Sequence, residues 1–521
     1  MSDSTKPLAA SQSERTAADT LPLAELEPEI SGNIANASKS IAIIGGGLAG
    51  MAAAAIACEA GLQVDLFEQS DHLGGRACSM EEPWNGQTID QCQHVAMGCC
   101  TNFLDFCRRA SVEDCFQRHK TLHFIGPDGR QSDITAAAWL PAPYHLLPGL
   151  FGLKYLTKQE CWSIARTLRK LNRLKISVEN SLDTIGLWLQ QQGQSGELIE
   201  KFWSTVIVSA LSETVDNASL FAAKKVFADG FMSSRNAYEL IMPRIPLGKI
   251  FDLQVPAWLE RQGVRIHRGT PVKGITCKSN NCNTIILANG EKQEYQAFIV
   301  AIPWYDLGTL DFNSPAWFGY YQEIFNNIKP SGITAVHLWF DRPITYLPHA
   351  ALVGRLSQWI FDKTVLTEEH AHGKRGHGIQ SDHGPHPNPL RAPTDHAKRG
   401  TRWSGEGTGV SPHYYQVVIS AAHRMAERNK TELLQMVLKD IEAIFPDARQ
   451  AILLNWRIVT MPRAVFSMLP GVDRYRIPPK DSTHGFFFAG DWTATGWPGT
   501  MEGAVRSGYL AAEGLLKYLG R

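Results

Sequence analysis

The chain has 521 residues, too many for one simple hydrophobic core, and this predicts two or three domains. Lys and Arg together number 51, as do Asp and Glu, so the net charge gives no electrostatic reason to bind nucleic acid or an anionic membrane surface. The ten cysteines include no C-x-x-C pair, which favours reduced thiols in a cytoplasmic protein over a disulfide framework or a metal site. Residues 1–39 lack a signal-peptide core and have the composition of a disordered leader.

A glycine motif follows this leader. Residues 41–44 form an apolar strand that runs into glycines spaced G-x-G-x-x-G, and an alanine-rich helix follows at 51–60. Gly45 allows a tight turn, Gly47 lets the backbone approach a pyrophosphate, and Gly50 lets helix and strand pack closely. The free N–H groups at the start of the helix would meet the phosphates. The pattern therefore predicts a dinucleotide-binding site rather than a glycine-rich turn without a ligand.

Two later features support this interpretation. A second strand at 62–67 ends in Glu68, at the distance where a carboxylate accepts the ribose hydroxyls. Gly74, Gly75 and Arg76 come next and form a second glycine turn that closes on a cation.

Candidate polar residues of the reaction site lie beyond these motifs. Asp90, Gln93 and His94 cluster soon after the second turn, where they could face an isoalloxazine ring, or where Gln93 and His94 could satisfy backbone groups in a loop. Glu213 is an isolated acid in an apolar segment. We expect it on a helix or loop surface, with the wall of a pocket as the alternative.

Residues 136–156 are strongly apolar and aromatic, and they carry one charge, Lys154. Three prolines exclude a single long helix. An exposed patch of this kind usually has a protein partner or a membrane, while burial in the core is the alternative.

Helical periodicity runs from 158 to 229 and predicts a buried face formed by Trp162, Ala165, Leu168 and Leu171. A strand at 284–287, joined through Asn289 and Gly290 to a strand at 295–302, predicts a β-hairpin.

A second domain is indicated by strand-like segments at 333–340 and 414–419 and by an amphipathic helix at 431–444. Between the two strand-like segments, residues 367–409 are rich in Gly, Pro, Arg and His. Histidine tracts can bind metal, but few apolar residues are present here to fix a geometry, so we expect a solvated disordered insertion.

The C-terminal region indicates which dinucleotide cofactor is bound. Residues 485–492 predict a strand that ends in Gly490 and Asp491, and a helix follows at 501–519. The Asp491 carboxylate can meet a ribityl or pyrophosphate hydroxyl, and the N–H groups of the helix would stabilise the negative charge of a reduced flavin. A nicotinamide enzyme has no need of this second motif, so the pair of motifs selects FAD over NAD.

These motifs resemble those of the FAD-dependent amine oxidase/phytoene desaturase superfamily. Within it the chain is most similar to the hydroxysqualene dehydroxylases, squalene-associated flavoenzymes of bacterial hopanoid pathways. The residues that carry this similarity are 90–95 with Gly98 and Cys99, 140–143, 242–247, 470–475 and 490–498. Two departures are Cys92, where the family has glycine, and Leu-Ser-Glu at 211–213, where Leu-Asn-Thr is usual.

The resemblance implies an α/β fold in which a discontinuous Rossmann-like FAD-binding domain of the glutathione-reductase type carries an inserted α+β substrate domain with a helical subdomain. We expect the FAD-binding domain at 40–120, 246–304 and 481–521, and the substrate domain at 121–245 and 305–480. The expected cofactor-binding residues are Gly45, Gly47, Leu48, Ala49, Gly50, Glu68, Gly74, Gly75, Arg76, Val272, Gly490, Asp491, Trp497, Pro498 and Met501.

The resemblance also implies a reaction, the reductive removal of the hydroxyl group of hydroxysqualene to give squalene for triterpenoid biosynthesis. This reaction needs an acid to protonate the leaving oxygen and a dry aromatic wall around an allylic cation. The candidates for the acid are Asp90, His94 and Glu213. The candidates for the wall are Trp203, Phe466, Trp492 and Trp497. Such an apolar substrate further implies contact between residues 136–156 and the inner face of a membrane.

Two other reactions stay open. A carotenoid or phytoene-type desaturase would use the same fold in the oxidative direction. An amine oxidase would need an aromatic cage for the amine, and nothing in the sequence localises one. A flavin-binding module without activity is disfavoured, because so much chain lies beyond the cofactor motifs.

Overall fold

A computed structural model of the protein describes residues 40–177, 182–278, 281–312, 321–322, 324–364, 412–423, 425–480 and 485–521. The predicted leader at 1–39 and the predicted histidine-rich insertion at 367–409 lie outside these ranges.

A five-stranded parallel sheet carries both cofactor motifs. Its strands, in spatial order, are Arg265–His267, Gln63–Phe67, Ser40–Ile44, Ala297–Val300 and Phe486–Phe488. Ile43 pairs with Leu66 on one side and Ile299 on the other, and all three side chains are fully buried. Buried central strands of this kind are typical of a parallel sheet covered on both faces. The sheet joins distant parts of the chain, so it brings the first and last glycine motifs together.

Two helices pack on this sheet and against each other, Leu48–Glu59 and Met501–Tyr518. The close approach between them depends on Gly508, where a Cβ atom would lie 2.2 Å from the carbonyl oxygen of Ala49. The helices predicted at 51–60 and 501–519 are confirmed, although the first begins three residues earlier.

A seven-stranded sheet forms the second large layer. Its strands, in spatial order, are Leu453–Phe466, Pro330–Phe340, His413–Ile419, Trp359–Asp362, His349–Leu352, Thr121–Ile125 and Gln131–Thr135. The helix Lys430–Ile444 packs on it through Leu433, Val437 and Ile441. The two strands and the helix predicted for a second domain are therefore present.

Smaller elements complete the described part of the fold. Three further sheets consist of Lys292–Glu294, Asn281–Leu287, Val272–Lys278 and Asp311–Phe312; of Ser79–Glu81 and Thr88–Asp90; and of Ala96–Met97, Leu240–Pro243 and Phe116–His119. Further α-helices in the described ranges are Thr101–Arg109, Leu147–Phe151, Lys158–Arg173, Ile185–Gln191, Gly196–Leu198, Thr205–Leu211, Leu220–Lys224 and Val255–Arg261. Wider π-helical turns occur at Ile199–Ser204, Lys225–Phe231 and Lys249–Gln254. No helix in the described ranges is long and apolar enough to cross a membrane.

The predicted hairpin has a different second strand. Asn281–Leu287 pairs antiparallel with Lys292–Glu294, with Ile286 opposite Lys292. The buried run that follows, Ala297–Val300, instead joins the parallel sheet beside Ser40–Ile44. The second strand of the hairpin was wrongly placed, because the short polar strand carries little hydrophobic signal. The apolar run belongs to the core of the parallel sheet, in agreement with its assignment to the FAD-binding domain at 246–304.

The predicted buried face of the helix Lys158–Arg173 is rotated. Its buried residues are Cys161, Ile164, Thr167 and Leu171. Trp162 is 58% exposed, so its inclusion in the core face was wrong. The preceding apolar segment is divided in the same way, since Leu150 and Leu153 are buried whereas Trp139 is 77% exposed.

Candidate functional site

The first glycine motif forms an open cradle at the end of the central strand. A Cβ at Gly45 would lie 2.6 Å from the carbonyl oxygen of Ala301, and a Cβ at Gly50 would lie 1.9 Å from that of Gly45. These two glycines therefore permit the packing of strand and helix. At Gly47 a Cβ would meet no atom within 4 Å, so the space above this residue is free for a ligand. The motif fits a bound pyrophosphate at the start of the helix.

Glu68 lies directly after the second strand, on the wall of the cavity into which this cradle opens. Its Oε2 accepts a hydrogen bond from the Gly46 N–H at 2.8 Å, and its Oε1 accepts one from the Ser70 N–H at 2.9 Å. These bonds orient the carboxylate beside the glycine turn, where it can accept ribose hydroxyls.

The second glycine turn joins the two cofactor motifs. Gly74 and Gly75 both have positive φ angles, and the Gly74 N–H donates to the carbonyl of Gly46. Arg76 donates to the Asp491 carboxylate and, at 2.6 Å, to the carbonyl of Ala464. Burial acts against the charge of Arg76, but Asp491 outweighs it and holds the pKa of the guanidinium above its ordinary value. Arg76 therefore stays charged beside the cofactor cavity.

The C-terminal motif forms the opposite side of the cradle. The helix Met501–Tyr518 is capped by Thr500, whose Oγ1 accepts from the Gly503 N–H at 3.1 Å. Glu502 in its first turn accepts from the side chain of Asn102 at 2.6 Å and from the Phe103 N–H at 2.8 Å. These bonds tie the helix to Thr101–Arg109, so its N-terminus is held rigidly at the cavity.

Arg476 holds the loop between these elements, and sequence reasoning missed it. The side chain is buried and donates at 2.6 Å to the carbonyls of both Thr493 and Trp497. It also contacts the carbonyl of Asp491 at 3.2 Å and the carboxylate of Asp473 at 2.7 Å. The only signal in the sequence was an acid three residues earlier, a spacing that is common for pairs on exposed surfaces.

One cavity of about 610 Å³ runs along all of these motifs. Gly50 does not line this cavity, because it lies where the first helix packs against the glycine turn. The expected cofactor-binding residues that line it are Gly45, Gly47, Leu48, Ala49, Glu68, Gly74, Gly75, Arg76, Val272, Gly490, Asp491, Trp497, Pro498 and Met501.

A mostly apolar part of the wall comes from the seven-stranded sheet, the helix Thr205–Leu211 and the π-helical turn Lys225–Phe231. These residues include Leu122, Phe124, Val206, Ala210, Phe231, Ile333, Trp359, Phe361, Val418 and Met461. Hydroxyl groups interrupt it, and the Trp359 Nε1–H donates to Ser209 at 2.7 Å. The carboxylates among the described lining residues are Glu68, Asp306, Asp491 and Glu502, and all lie outside these three elements. The apolar part is therefore built for an uncharged molecule.

His94 is the one of the three candidate acids that lines the cavity. Its Nδ1 lies 3.0 Å from the carbonyl of Cys92, which identifies Nδ1 as the protonated nitrogen. In the described ranges no hydrogen bond is made to Nε2. Burial lowers the pKa of His94, Asp90 acts to raise it, and Arg76 and Lys363 act to lower it.

Asp90 is buried behind this wall rather than on it. Its Oδ1 accepts from the Ser79 hydroxyl and the Leu247 N–H, each at 2.7 Å, and its Oδ2 lies 3.6 Å from Nζ of Lys363. Lys363 in turn donates to Oε1 of Gln93 at 2.7 Å. Asp90 and Lys363 therefore position the loop that carries Gln93 and His94 and do not reach the cavity themselves.

Glu213 is buried, so the expectation of a surface position was wrong. It accepts from the Ser467 hydroxyl and, at 2.9 Å, from the Thr214 N–H, and His423 lies 3.2 Å away. Burial acts to raise its pKa, but the hydrogen bonds from Ser467 and Thr214 and the charge of His423 outweigh this effect and lower the pKa. Glu213 is thus an ionised carboxylate within the described interior, outside the cavity wall.

Two of the four aromatic residues predicted to line the reaction site do so, and two do not. Trp492 and Trp497 line the cavity, whereas Trp203 and Phe466 lie in the core. Trp203 is fully buried and its Nε1–H donates to Gln194 at 3.0 Å. The rings of the apolar part come instead from four residues that sequence reasoning missed: Phe124, Phe231, Trp359 and Phe361.

Comparison with known proteins agrees with this site. Over residues 48–516 the sequence matches the family described as flavin containing amine oxidoreductase. It is similar to the zeta-carotene desaturase of Synechocystis sp., with 22% identity over 91% of this chain and 97% of the relative. It is equally similar to the hydroxysqualene dehydroxylase of Zymomonas mobilis subsp. mobilis, with 23% identity over 90% of this chain and 97% of the relative.

A solved structure supports the fold. Cyclohexylamine oxidase from Brevibacterium oxydans IH-35A matches with a TM-score of 0.63 and 16% identity, covering 93% of this chain and 100% of the other. The predicted α/β, Rossmann-like FAD-binding fold is therefore confirmed. Because the family match spans most of the chain and the cavity fits FAD, this protein is an FAD-dependent oxidoreductase that belongs to the flavin containing amine oxidoreductase family.

Proposed function

We propose that this flavoenzyme reductively removes the hydroxyl group of hydroxysqualene and gives squalene. The observation that carries the proposal is a mainly apolar cavity, continuous with the cofactor motifs, that has one imidazole, His94, on its described wall. An uncharged thirty-carbon alcohol needs such a wall and one proton donor. The similarity to the Zymomonas mobilis hydroxysqualene dehydroxylase supports the same substrate.

The chain's own residues would divide the remaining work. FAD, when bound in its reduced form, supplies a hydride to the carbon that loses oxygen. Protonated His94 would deliver its Nε2 proton to the leaving hydroxyl, which departs as water. The carbonyl of Cys92 holds Nδ1–H and so keeps Nε2 as the nitrogen available for transfer. Trp359 and Phe361 would face the allylic cation and help to keep water out.

A carotenoid-type desaturase is the second candidate. The similarity to the Synechocystis zeta-carotene desaturase covers as much of the chain, and an apolar cavity suits a polyene equally well. In this direction neutral His94 would accept a proton at Nε2. Amine oxidation is less well supported, because the apolar part of the described wall has no carboxylate for an ammonium group.

An anaerobic experiment separates the candidates. Purified protein with chemically reduced FAD is mixed with hydroxysqualene, and flavin absorbance and product mass are followed. We expect the flavin to reoxidise as squalene appears. If the flavin stays reduced, and only the oxidised enzyme acts by adding double bonds to an isoprenoid, desaturation replaces this proposal. Peroxide release on addition of amines would indicate an amine oxidase.

The substitution His94→Gln is expected to lower kcat for dehydroxylation about 100-fold or more, because it removes the general acid. Since burial lowers the pKa of His94, little imidazolium exists at neutral pH, and the wild-type rate should rise as the pH falls from 8 toward 5. The variant should lose this slope and keep FAD. A desaturase that uses neutral His94 as a base would show the opposite slope.

The matched control is His413→Gln, a half-buried histidine outside the described cavity wall. It should retain the wild-type rate and pH profile. A wild-type profile in His94→Gln would remove His94 from the proton transfer.

A further inference from the structure

One exposed helix face combines an aromatic residue with cations. On the helix Lys158–Arg173, five exposed residues follow one another at spacings of four, four, three and four, which places them on one face: Lys158, Trp162, Arg166, Arg169 and Arg173. We propose that this face, together with the aromatic residues exposed at 139–151, docks on an anionic phospholipid bilayer. The benefit of docking rests on the proposed function, because a bilayer would hold an apolar substrate, but lipid binding can be tested separately.

The cations of this face lack counter-charges in the described part of the chain. No ion pair joins Lys158, Arg166, Arg169 or Arg173 to an acid there. Glu160, the acid on this helix, instead caps its start by accepting from the Thr157 N–H at 2.7 Å. Like charges four residues apart destabilise a helix. Anionic headgroups outside the protein would remove this repulsion.

The local charge differs from the charge of the whole chain. Residues 139–175 contain one acid, Glu160, and seven basic residues, a net charge of +6: Lys154, Lys158, Arg166, Arg169, Lys170, Arg173 and Lys175. Overall neutrality therefore does not exclude an anionic membrane, since the electrostatic attraction acts within about one Debye length of the surface.

Exposed aromatic rings distinguish a bilayer from an acidic protein. Trp162 is 58% exposed and lies edge to face with Phe151, with ring centroids 5.1 Å apart. The turn before Phe151 exposes Trp139 by 77% and Tyr144 by 46%. Trp and Tyr are enriched at the membrane–water interface, where the ring is buried and the polar edge stays hydrated. An acidic protein surface would pair with the cations but leave these rings without an apolar partner.

The proposed docking surface lies close to the cavity. The helix Lys158–Arg173 packs against the π-helical turn Lys225–Phe231. Val226, Gly230 and Phe231 of that turn line the cavity. A bilayer below the helix would thus be separated from the apolar cavity by the helix and this turn.

Vesicle sedimentation with the full-length holoenzyme tests the proposal. One vesicle preparation contains phosphatidylcholine alone, and the other contains 30% phosphatidylglycerol, each at 0.1 M and 0.5 M NaCl. We expect binding to the phosphatidylglycerol vesicles that weakens at high salt. Each cation near an anionic surface contributes roughly 1 kcal/mol, so the triple variant Arg166→Gln/Arg169→Gln/Arg173→Gln should bind about 100-fold more weakly. Trp162→Ala should lower binding at both salt concentrations.

The control removes three exposed cations elsewhere, through Arg261→Gln/Lys430→Gln/Lys439→Gln, and should bind as the wild type. The proposal is overturned if the wild type binds neither vesicle preparation, or if it binds both equally without salt dependence. It is also overturned if the two triple variants bind the phosphatidylglycerol vesicles with the same affinity. Turnover of detergent-dispersed hydroxysqualene should be unchanged in the Arg triple variant. If the wild type does not turn over hydroxysqualene either, the proposed reaction is refuted, and the lipid-binding result is unaffected.

Discussion

Gly47→Ala is expected to abolish retention of FAD while changing the free energy of unfolding of the apoprotein by under about 1 kcal/mol. Gly47 has φ −74° and ψ 179° at the start of the first helix, which alanine adopts without strain. Its added Cβ would meet no protein atom within 4 Å and would enter the space where the pyrophosphate approaches the backbone. Flavin absorbance after gel filtration and urea denaturation of the apoprotein measure the two effects.

Gly50→Ala is the matched comparison, three residues along the same motif. Here the Cβ would lie 1.9 Å from the carbonyl oxygen of Gly45, so helix and strand must separate. We expect an apoprotein destabilised by about 1–3 kcal/mol or more, with loss of FAD as a consequence. If Gly47→Ala retains FAD, or if both variants lose stability equally, the assignment of Gly47 to cofactor contact is wrong.

Arg476→Ala is expected to lower the free energy of unfolding by about 3–5 kcal/mol and to release FAD. The substitution removes the donors that hold the carbonyls of Asp491, Thr493 and Trp497, and it leaves the Asp473 carboxylate without its cation. These carbonyls belong to the loop that joins the last strand of the parallel sheet to the helix Met501–Tyr518. Urea denaturation and the fraction of protein-bound flavin report the loss.

Two controls separate this role from a general effect of charge. Lys480→Ala breaks an exposed ion pair with Glu513 and should change stability by under about 1 kcal/mol. Arg476→Lys keeps the charge but not the planar set of donors, so it should recover only part of the stability and flavin binding. A fully stable Arg476→Ala protein with bound FAD would refute the role of Arg476.

The cofactor and the positions of its motifs could be predicted because their signals are local in the sequence. Gly45, Gly47, Glu68 and Asp491 each lie within three residues of the end of a strand, and a helix starts at Leu48, directly after Gly47. A backbone turn depends mainly on the residues that form it. The expectation of FAD is accordingly confirmed by the family match.

The candidate acids could not be ranked from the sequence, because whether a polar residue faces a cavity depends on contacts across the chain. Contacts with Ser79, Leu247 and Lys363 hold Asp90 behind the cavity wall, and Lys363 lies 273 positions from Asp90 in the sequence. Glu213 is held by Ser467, in a segment 254 positions away. Long-range hydrogen bonds of this kind leave no periodic signal in a single sequence.

The sequence by itself determined the FAD-binding motifs and the helices and strands that carry them, because glycine spacing and hydrophobic periodicity are local properties. The tertiary structure alone decided three further matters: that His94 faces the cavity, that Arg476 holds the cofactor loop, and that Trp162 points outward beside cations. Each depends on which side of an element meets the rest of the protein. Packing decides that side, and a rotation of one residue along the helix Lys158–Arg173 was enough to move Trp162 from the expected core to the surface.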